Sequence, residues 1–165
     1  MRHPLGGDKP WPFGELARNN MSHITTYATD LQLNPVKGQR TAQNDRSWQL
    51  FREALEAVAE EYGGHVSDTI TNYYGHQRKC TFSLIVPEFR YGLGVDVDNE
   101  TGDVSFVYDS YGVRESVIEG LKNRVVQTFT TLAVSETLQD LNYDVEYEEH
   151  AAEEAKRQIL VRGVM

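Results

Sequence analysis

One short segment, residues 73 to 79, combines aromatic rings, a histidine and two cations. It contains Tyr73, Tyr74, His76, Arg78 and Lys79. Aromatic stacking combined with positive charge is how proteins hold nucleotides and single-stranded nucleic acids. The segment is therefore a candidate site for a small anionic ligand or a nucleotide. The alternative is a loop at a sheet end whose tyrosine rings cover the core, and the sequence leaves both interpretations open.

The histidines and the single cysteine offer little metal or nucleophile chemistry. His23 and His65 stand at the starts of two predicted strands, and their rings would meet only if those strands were neighbours. Because no further ligands are evident, neither a metal nor a cofactor is predicted. Cys80 begins an apolar strand, where we expect a buried structural thiol, although His76 could approach it across the turn. No catalytic residue is predicted.

Carboxylates between residues 96 and 103 resemble a calcium loop in composition but not in spacing. They are Asp96, Asp98, Glu100 and Asp103. An EF-hand needs Gly at the sixth position and Glu at the twelfth, whereas this segment has Thr101 and Val107 there. We therefore predict a solvated hairpin turn made by Asn99 and Gly102.

The Gly92-Leu93-Gly94 motif is not a phosphate-binding loop. Val97 stands where the third glycine of such a loop would be, and a strand rather than a helix follows. Glycine inside a strand marks a bulge or a close approach of another part of the chain, which is the prediction here.

The charge and composition exclude several classes of protein. The 165 residues include 25 acidic and 16 basic ones, a net charge of −9. A general nucleic-acid binder or a protein of anionic membranes needs a basic surface, so neither is expected. No apolar run approaches the roughly 18 residues of a membrane span. One cysteine excludes an internal disulfide framework, and the length indicates one domain.

The acidic C-terminal part is a candidate partner-binding surface. Residues 136 to 154 contain eight carboxylates and no Lys or Arg. Within them, Tyr143 to Glu149 alternates like an edge strand and carries Glu146, Glu148 and Glu149. Such a strand suits a basic partner, by charge and by strand addition. A merely solvated helix end and strand is the alternative.

Residues 1 to 20 differ from the rest of the chain. They hold three of the five prolines and show no apolar period. A flexible leader before a domain at 21–165 is one interpretation. The other is a docking peptide anchored by Trp11 and Phe13 around Pro12, since exposed aromatics in a short extended segment commonly engage a groove.

Two helices and seven strands are predicted from periodicity. The first helix spans residues 45 to 62, with Asn44 or Asp45 as its cap and Gly63-Gly64 as its stop. The second spans 113 to about 141. The strands cover 23–33, 65–72, 80–86, 89–98, 104–109, 143–149 and 158–165. This order predicts an α+β fold, with one antiparallel sheet carrying both amphipathic helices on one face. It is close to the ferredoxin-like (split βαβ) arrangement with an extended meander.

Several segments together resemble a known family. They are MSHITTYATDL from Met21, REALEAVAEEYGG, the turn Tyr73-Tyr74-Gly75, YGLGVDVDNETGDVSFVYDSYGV, a long helix with Asn123-Arg124, and YDVEYEE. Their layout over residues 21 to 165 resembles the hypothetical chloroplast open reading frame thirty-five family, a domain of unknown function in plastids, cyanobacteria and other bacteria. Residues 1–20, the loop at 34–44, and His76 and Lys79 depart from the family pattern.

The resemblance implies a small α+β protein of the cytoplasm or the plastid stroma, often encoded beside an AAA-type ATPase. The family has no assigned catalytic residues to transfer. Our first expectation is therefore a non-enzymatic accessory or adaptor protein that docks on a protein partner, with that ATPase as a candidate. The alternative is a small anionic-ligand or nucleotide-binding protein using residues 73–79. A subunit of a larger assembly, such as a homo-oligomer joined edge to edge, is the third.

Overall fold

The computed structural model describes residues 23–37, 42–152 and 156–165. The helices are α1 (Arg46–Tyr62) and α2 (Glu115–Asp140), and a short 3-10 turn (Ala42–Asn44) precedes α1. The strands are β1 (Thr25–Gln32), β2 (His65–Thr71), β3 (Gln77–Val86), β4 (Phe89–Val97), β5 (Asp103–Tyr108), β6 (Asp144–Ala152) and β7 (Lys156–Val164).

Five strands form one sheet in the order β1-β5-β4-β3-β2, and every neighbouring pair is antiparallel. β6 and β7 pair only with each other within the described chain, as a separate hairpin. The predicted α+β class and antiparallel sheet are confirmed. β1 and β2, the strands joined through α1, are the two edges of the sheet.

The final strands depart from the predicted arrangement. A ferredoxin-like fold places its last strand in the main sheet, whereas here β6 turns back and pairs with β7. The register runs without interruption from Asp144↔Val164 to Ala152↔Lys156. Because β7 satisfies one edge of β6 locally, the hairpin needs no partner from the sheet.

Helix α1 begins and ends where the sequence indicates. The Asp45 carboxylate accepts the backbone N–H groups of Ser47 and Trp48, and Gly63 ends the helix in a left-handed conformation at φ 71°. The helix buries the side chains Trp48, Phe51, Leu55 and Val58 among others. Tyr62 lies at the last turn of the helix and is partly exposed.

Both helices pack into one core against the same face of the sheet. The Phe51 ring of α1 lies 5.2 Å from the Phe129 ring of α2, measured between centroids. The α2 stripe that is buried runs through Ile118, Leu121, Val125 and Phe129. Val117 and Leu132 are only half-buried, and Leu141 is the exposed C-cap of the helix.

The centre of the opposite face of the sheet, over β4, is covered by side chains of the neighbouring strands. Ile70 of β2 is 1% exposed and lies directly over Gly92 and Gly94 of β4. A Cβ on Gly94 would stand 2.7 Å from the Cys80 sulfur, and one on Gly92 would stand 2.5 Å from the Ile85 side chain. Gly92 also has φ 94° beside a register shift in the β3–β4 pair. The predicted bulge and close approach are therefore confirmed.

Candidate functional site

Four tyrosines form a connected aromatic surface, the tyrosine surface, made of Tyr73, Tyr74, Tyr91 and Tyr111. The Tyr73 ring is central, with ring centroids at 4.7 Å from Tyr111, 5.4 Å from Tyr74 and 6.3 Å from Tyr91. All three contacts are edge-to-face, and Tyr73 and Tyr74 remain about half exposed. These rings do not simply cover the core, which is what one interpretation of residues 73–79 required.

The buried carboxylate of Asp109 holds this surface together. Asp109 is 1% exposed, and its two oxygens accept the backbone N–H groups of Tyr73 and Tyr111, each at 2.9 Å. The bonds tie the β2–β3 turn to the loop after β5, although two strands, β3 and β4, lie between β2 and β5 in the sheet. Charge-assisted bonds of this kind are among the stronger hydrogen bonds in proteins. The sequence analysis missed Asp109, and its position directly after a strand, before Ser-Tyr-Gly, is the signal that points to it.

The charged members of the 73–79 segment do not converge with the rings. β3 begins at Gln77, earlier than predicted, so Arg78 and Lys79 are neighbouring strand residues and point to opposite faces. Arg78 pairs with Asp96 at 2.8 Å, and Lys79 pairs with Asp68 at 3.2 Å. His76 bonds within the turn, its N–H donating to the Asn72 side chain. Arg78 and Lys79 are therefore each already paired with a carboxylate of the protein.

Lys122 stands in a cleft of about 380 Å³ between the β1–β5 pair and α2. Its ammonium nitrogen lies 5.1 to 5.9 Å from the ring centroids of Tyr27, Phe106 and Tyr108. It also donates to the Glu119 carboxylate at 2.9 Å and to the Tyr108 hydroxyl at 3.3 Å. Burial alone would lower the pKa of Lys122, but these two hydrogen bonds outweigh it and raise the pKa. The lysine therefore stays charged, which suits a structural role between rings and not a nucleophile.

The predicted acidic surface lies on the β6–β7 hairpin and divides between its two faces. Glu146 and Glu148 are exposed on the outward face, opposite Arg162 and Leu160 of β7. Glu149 belongs to the other face, where its carboxylate lies 3.8 Å from Arg124 of α2. The strand therefore presents two of the three predicted carboxylates together. Strand alternation explains why the third is separate.

The outward face of the hairpin also exposes apolar surface. Leu160 is 42% exposed there, with Glu148 directly opposite it on the neighbouring strand and Glu146 next along the same face. Tyr147 belongs by strand alternation to the inward face, but its side chain is 56% exposed beside Leu160. Glu146, Tyr147, Glu148, Leu160 and Arg162 line a shallow depression of about 350 Å³. Val145, Ile159 and Val161 are half-buried on the face that packs toward α2.

The remaining sequence candidates have structural explanations. Burial, and secondarily the nearby Asp96, raises the pKa of the Cys80 thiol to about 11, which disfavours the reactive thiolate. His23 and His65 lie beside the two opposite edges of the sheet, so the strand adjacency that a shared metal would need does not occur. No cluster of metal-ligand side chains occurs within the described ranges.

The acidic turn between β4 and β5 is a structural hairpin turn, as predicted. The Asp98 carboxylate accepts the backbone N–H groups of Glu100 and Thr101. Gly102 has φ 81°, and its backbone carbonyl accepts the N–H of Leu33. Trp11 and Phe13, the predicted anchors of the leader, lie outside the described residues.

Comparisons with family models, with curated proteins and with solved structures find no match. None of the helices in the described parts of the chain is both long and apolar enough to cross a membrane.

Proposed function

We propose that the protein is a non-enzymatic accessory or adaptor protein that docks on a protein partner through the outward face of the β6–β7 hairpin. The observation that carries the proposal is the exposure of Leu160 among the carboxylates Asp144, Glu146 and Glu148, on a sheet face that no other described element covers. Exposed apolar side chains within a polar rim are typical of docking surfaces.

The charge of this face specifies the partner. The three carboxylates of this face outnumber the positive charge of Arg162, so the surface is acidic. The whole chain also carries a net negative charge. A partner with a Lys- or Arg-rich surface and an apolar side chain for Leu160 would complement it, and opposite charge would speed encounter. Among the described strands, β6 pairs on one edge only, so an extended segment of the partner could add to the other edge.

The non-enzymatic assignment rests on the surroundings of three polar groups that could otherwise take part in chemistry. Asp109 bonds to two backbone N–H groups, Lys122 bonds to Glu119 and Tyr108, and burial keeps the Cys80 thiol protonated. Each group therefore has a structural explanation. The resemblance to the plastid open-reading-frame family adds an AAA-type ATPase as the specific partner. It also supports the cytoplasm or plastid stroma as the location.

The test is capture of partners from native extract by the tagged full chain, with and without ATP. We expect the double variant Glu146→Lys/Glu148→Lys to lose the captured partner. The matched control is Glu88→Lys/Glu100→Lys, which makes the same charge change at exposed positions in two turns of the main sheet. Glu149 is left intact because it faces Arg124.

A partner that binds the hairpin variant as strongly as the wild type would remove the hairpin from the proposal. Equal loss in both variants would mean that only the total charge matters, and would also contradict it. An ATPase retained in an ATP-dependent way and lost only in the hairpin variant would support the adaptor role.

A small anionic ligand at residues 73–79 is the weaker candidate because Arg78 and Lys79 are already paired. A thermal-shift screen with nucleotides and anionic metabolites tests it. A ligand at about 100 times its Kd stabilises the folded state by about 2.7 kcal/mol, which such a screen detects.

A further inference from the structure

The free strand edges of the molecule differ in how regular they are. An unpaired edge invites pairing with another chain, and β-bulges and charged side chains are the usual protection. Among the described strands, β1 and β2 form the edges of the main sheet, and each has a register shift in its pairing, after Ala28 in β1 and after Ser67 in β2. The β6–β7 hairpin keeps an uninterrupted register from Asp144↔Val164 to Ala152↔Lys156. The regular edges within the described chain are therefore those of the hairpin.

Charge distinguishes the two outer edges of the hairpin. β6 exposes Glu146, Glu148 and Glu149. If β6 paired with β6 of a second copy about Tyr147, Glu146 would lie opposite Glu148, and like charges directly opposite each other are destabilising. The centre of β7, residues 159 to 161, reads Ile-Leu-Val, which is uncharged and favours strand pairing. β7 therefore suits pairing with its own copy, and β6 does not.

One register of β7 against β7 fits best. A two-fold axis perpendicular to the hairpin makes the two strands antiparallel and keeps their outward faces on the same side. With this axis at Leu160, each Leu160 lies opposite its copy, and Gln158 lies opposite Arg162. No like charges meet at these positions, and all 9 residues of β7 are paired. Moving the axis to either neighbouring residue shortens the pairing and separates the two leucines.

This pairing also gives the hairpin what it lacks in a single chain. A two-stranded sheet is marginally stable in water, whereas a sheet of more strands with an apolar face is stable. Joining two hairpins makes a four-stranded sheet, β6-β7-β7-β6, and covers part of Leu160, which is 42% exposed in the single chain. The acidic β6 strands then form both outer edges, where their charge discourages further addition. The assembly therefore closes at two chains.

We infer that two copies of the protein pair through the outer edge of β7, antiparallel and with the two-fold axis at Leu160. The lack of charge repulsion along β7, in contrast to β6, specifies a second copy as the occupant. The edge of β6 and the carboxylates Glu146 and Glu148 remain free in this dimer. The inference is therefore independent of the proposed adaptor function, and either can fail without the other.

Sedimentation of the purified full chain over a range of concentrations tests the inference. We expect a monomer–dimer equilibrium with no larger species. Gln158→Arg places a positive charge opposite Arg162 twice, by symmetry, and should raise the dimer dissociation constant several-fold, whereas Gln158→Glu should lower it. The matched control is Gln77→Arg, which changes another exposed strand glutamine, on β3 of the main sheet, and should leave the constant unchanged.

Single cysteines in a Cys80→Ala background test the register. Leu160→Cys should form a disulfide-linked dimer on oxidation, because the axis sets residue 160 opposite its own copy. Tyr147→Cys is the matched control, since Tyr147 is at least as exposed but lies on β6, and it should stay monomeric on a denaturing gel.

A chain that stays monomeric at every concentration would overturn the inference, as would a dimer that responds equally to Gln77→Arg and Gln158→Arg. Cross-linking through Tyr147→Cys and not through Leu160→Cys would assign the dimer to β6 and contradict it. Growth beyond two chains would indicate open-ended addition of β6 to β7, and would also overturn it.

Discussion

The five-stranded sheet and the β6–β7 hairpin use the same kind of strand pairing but are covered differently. Helices cover one face of the sheet, and side chains of β2 and β3, with Ile70 above Gly92 and Gly94, cover the centre of the other. The hairpin packs toward α2 with one face and exposes Leu160 on the other.

This difference separates residues that folding requires from residues that it does not. In the sheet, packing explains even the glycines, because a side chain at Gly94 would collide with Cys80. On the outward face of the hairpin, Glu146, Glu148 and Leu160 make no comparable contribution to the core. Side chains that folding leaves unconstrained can be used for recognition, which is why the hairpin carries the proposed function.

The largest expected contrast is between two aromatic truncations. Phe51→Ala removes a fully buried ring that contacts Phe82 and Phe129, and it should lower the free energy of unfolding by about 3–5 kcal/mol. Tyr147→Ala removes a ring that is 56% exposed, so it should change that free energy by less than about 0.5 kcal/mol. Urea unfolding of both variants measures the difference, and similar costs would erase the distinction between the two regions.

A smaller contrast separates two glycines with left-handed backbone. Gly92 and Gly75 have φ 94° and 86°, but only Gly92 has neighbours where its Cβ would lie. Gly75→Ala should lower the free energy of unfolding by about 1 kcal/mol, because a left-handed backbone is unfavourable for alanine. Gly92→Ala should cost about 1–3 kcal/mol more, because Ile85 and Ile70 must move. Equal losses of stability in the two variants would show that the covered second face is not tightly packed.

The smallest effect is expected at the start of α1. Asp45→Ala removes the helix cap and should cost about 0.5–2 kcal/mol at neutral pH. Burial raises the pKa of Asp45, but hydrogen bonds from Ser47, Asn34 and Trp48 outweigh it and hold the pKa below 3.8. The native carboxylate therefore stabilises the fold above pH 3.8, and this contribution is lost as the pH falls through the lowered pKa. The free energies of unfolding of the variant and the wild type should become similar in acid. A difference between them that does not change with pH would contradict this assignment.

Much of the fold is predictable because local rules agree with the tertiary structure. The Asp45 cap, the Gly63 stop and the three- and four-residue steps of α1 all reflect local backbone chemistry, and α1 spans Arg46–Tyr62. The strand order is not predictable in the same way. Alternation shows which residues are buried, but not that β1 pairs with β5 or that β6 pairs with β7.

The candidate sites show the same limit. The tyrosines at 73 and 74 are visible in the sequence, but Tyr91 and Tyr111 come from distant segments that only the folded chain brings to them. Nearness in sequence groups Arg78 and Lys79 with the rings, yet β3 starts early and these side chains pair with Asp96 and Asp68 instead. Nearness also groups Glu149 with Glu146, although strand alternation places Glu149 on the other face.

Hydrogen exchange of the captured complex tests the hairpin proposal most directly. The backbone amides of the full chain would be compared with and without the bound partner. We predict that exchange slows at residues 144–150 and 158–164 and stays unchanged in α1 and β4. Slowing confined to the main sheet or the helices, with the hairpin amides unaffected, would contradict the account.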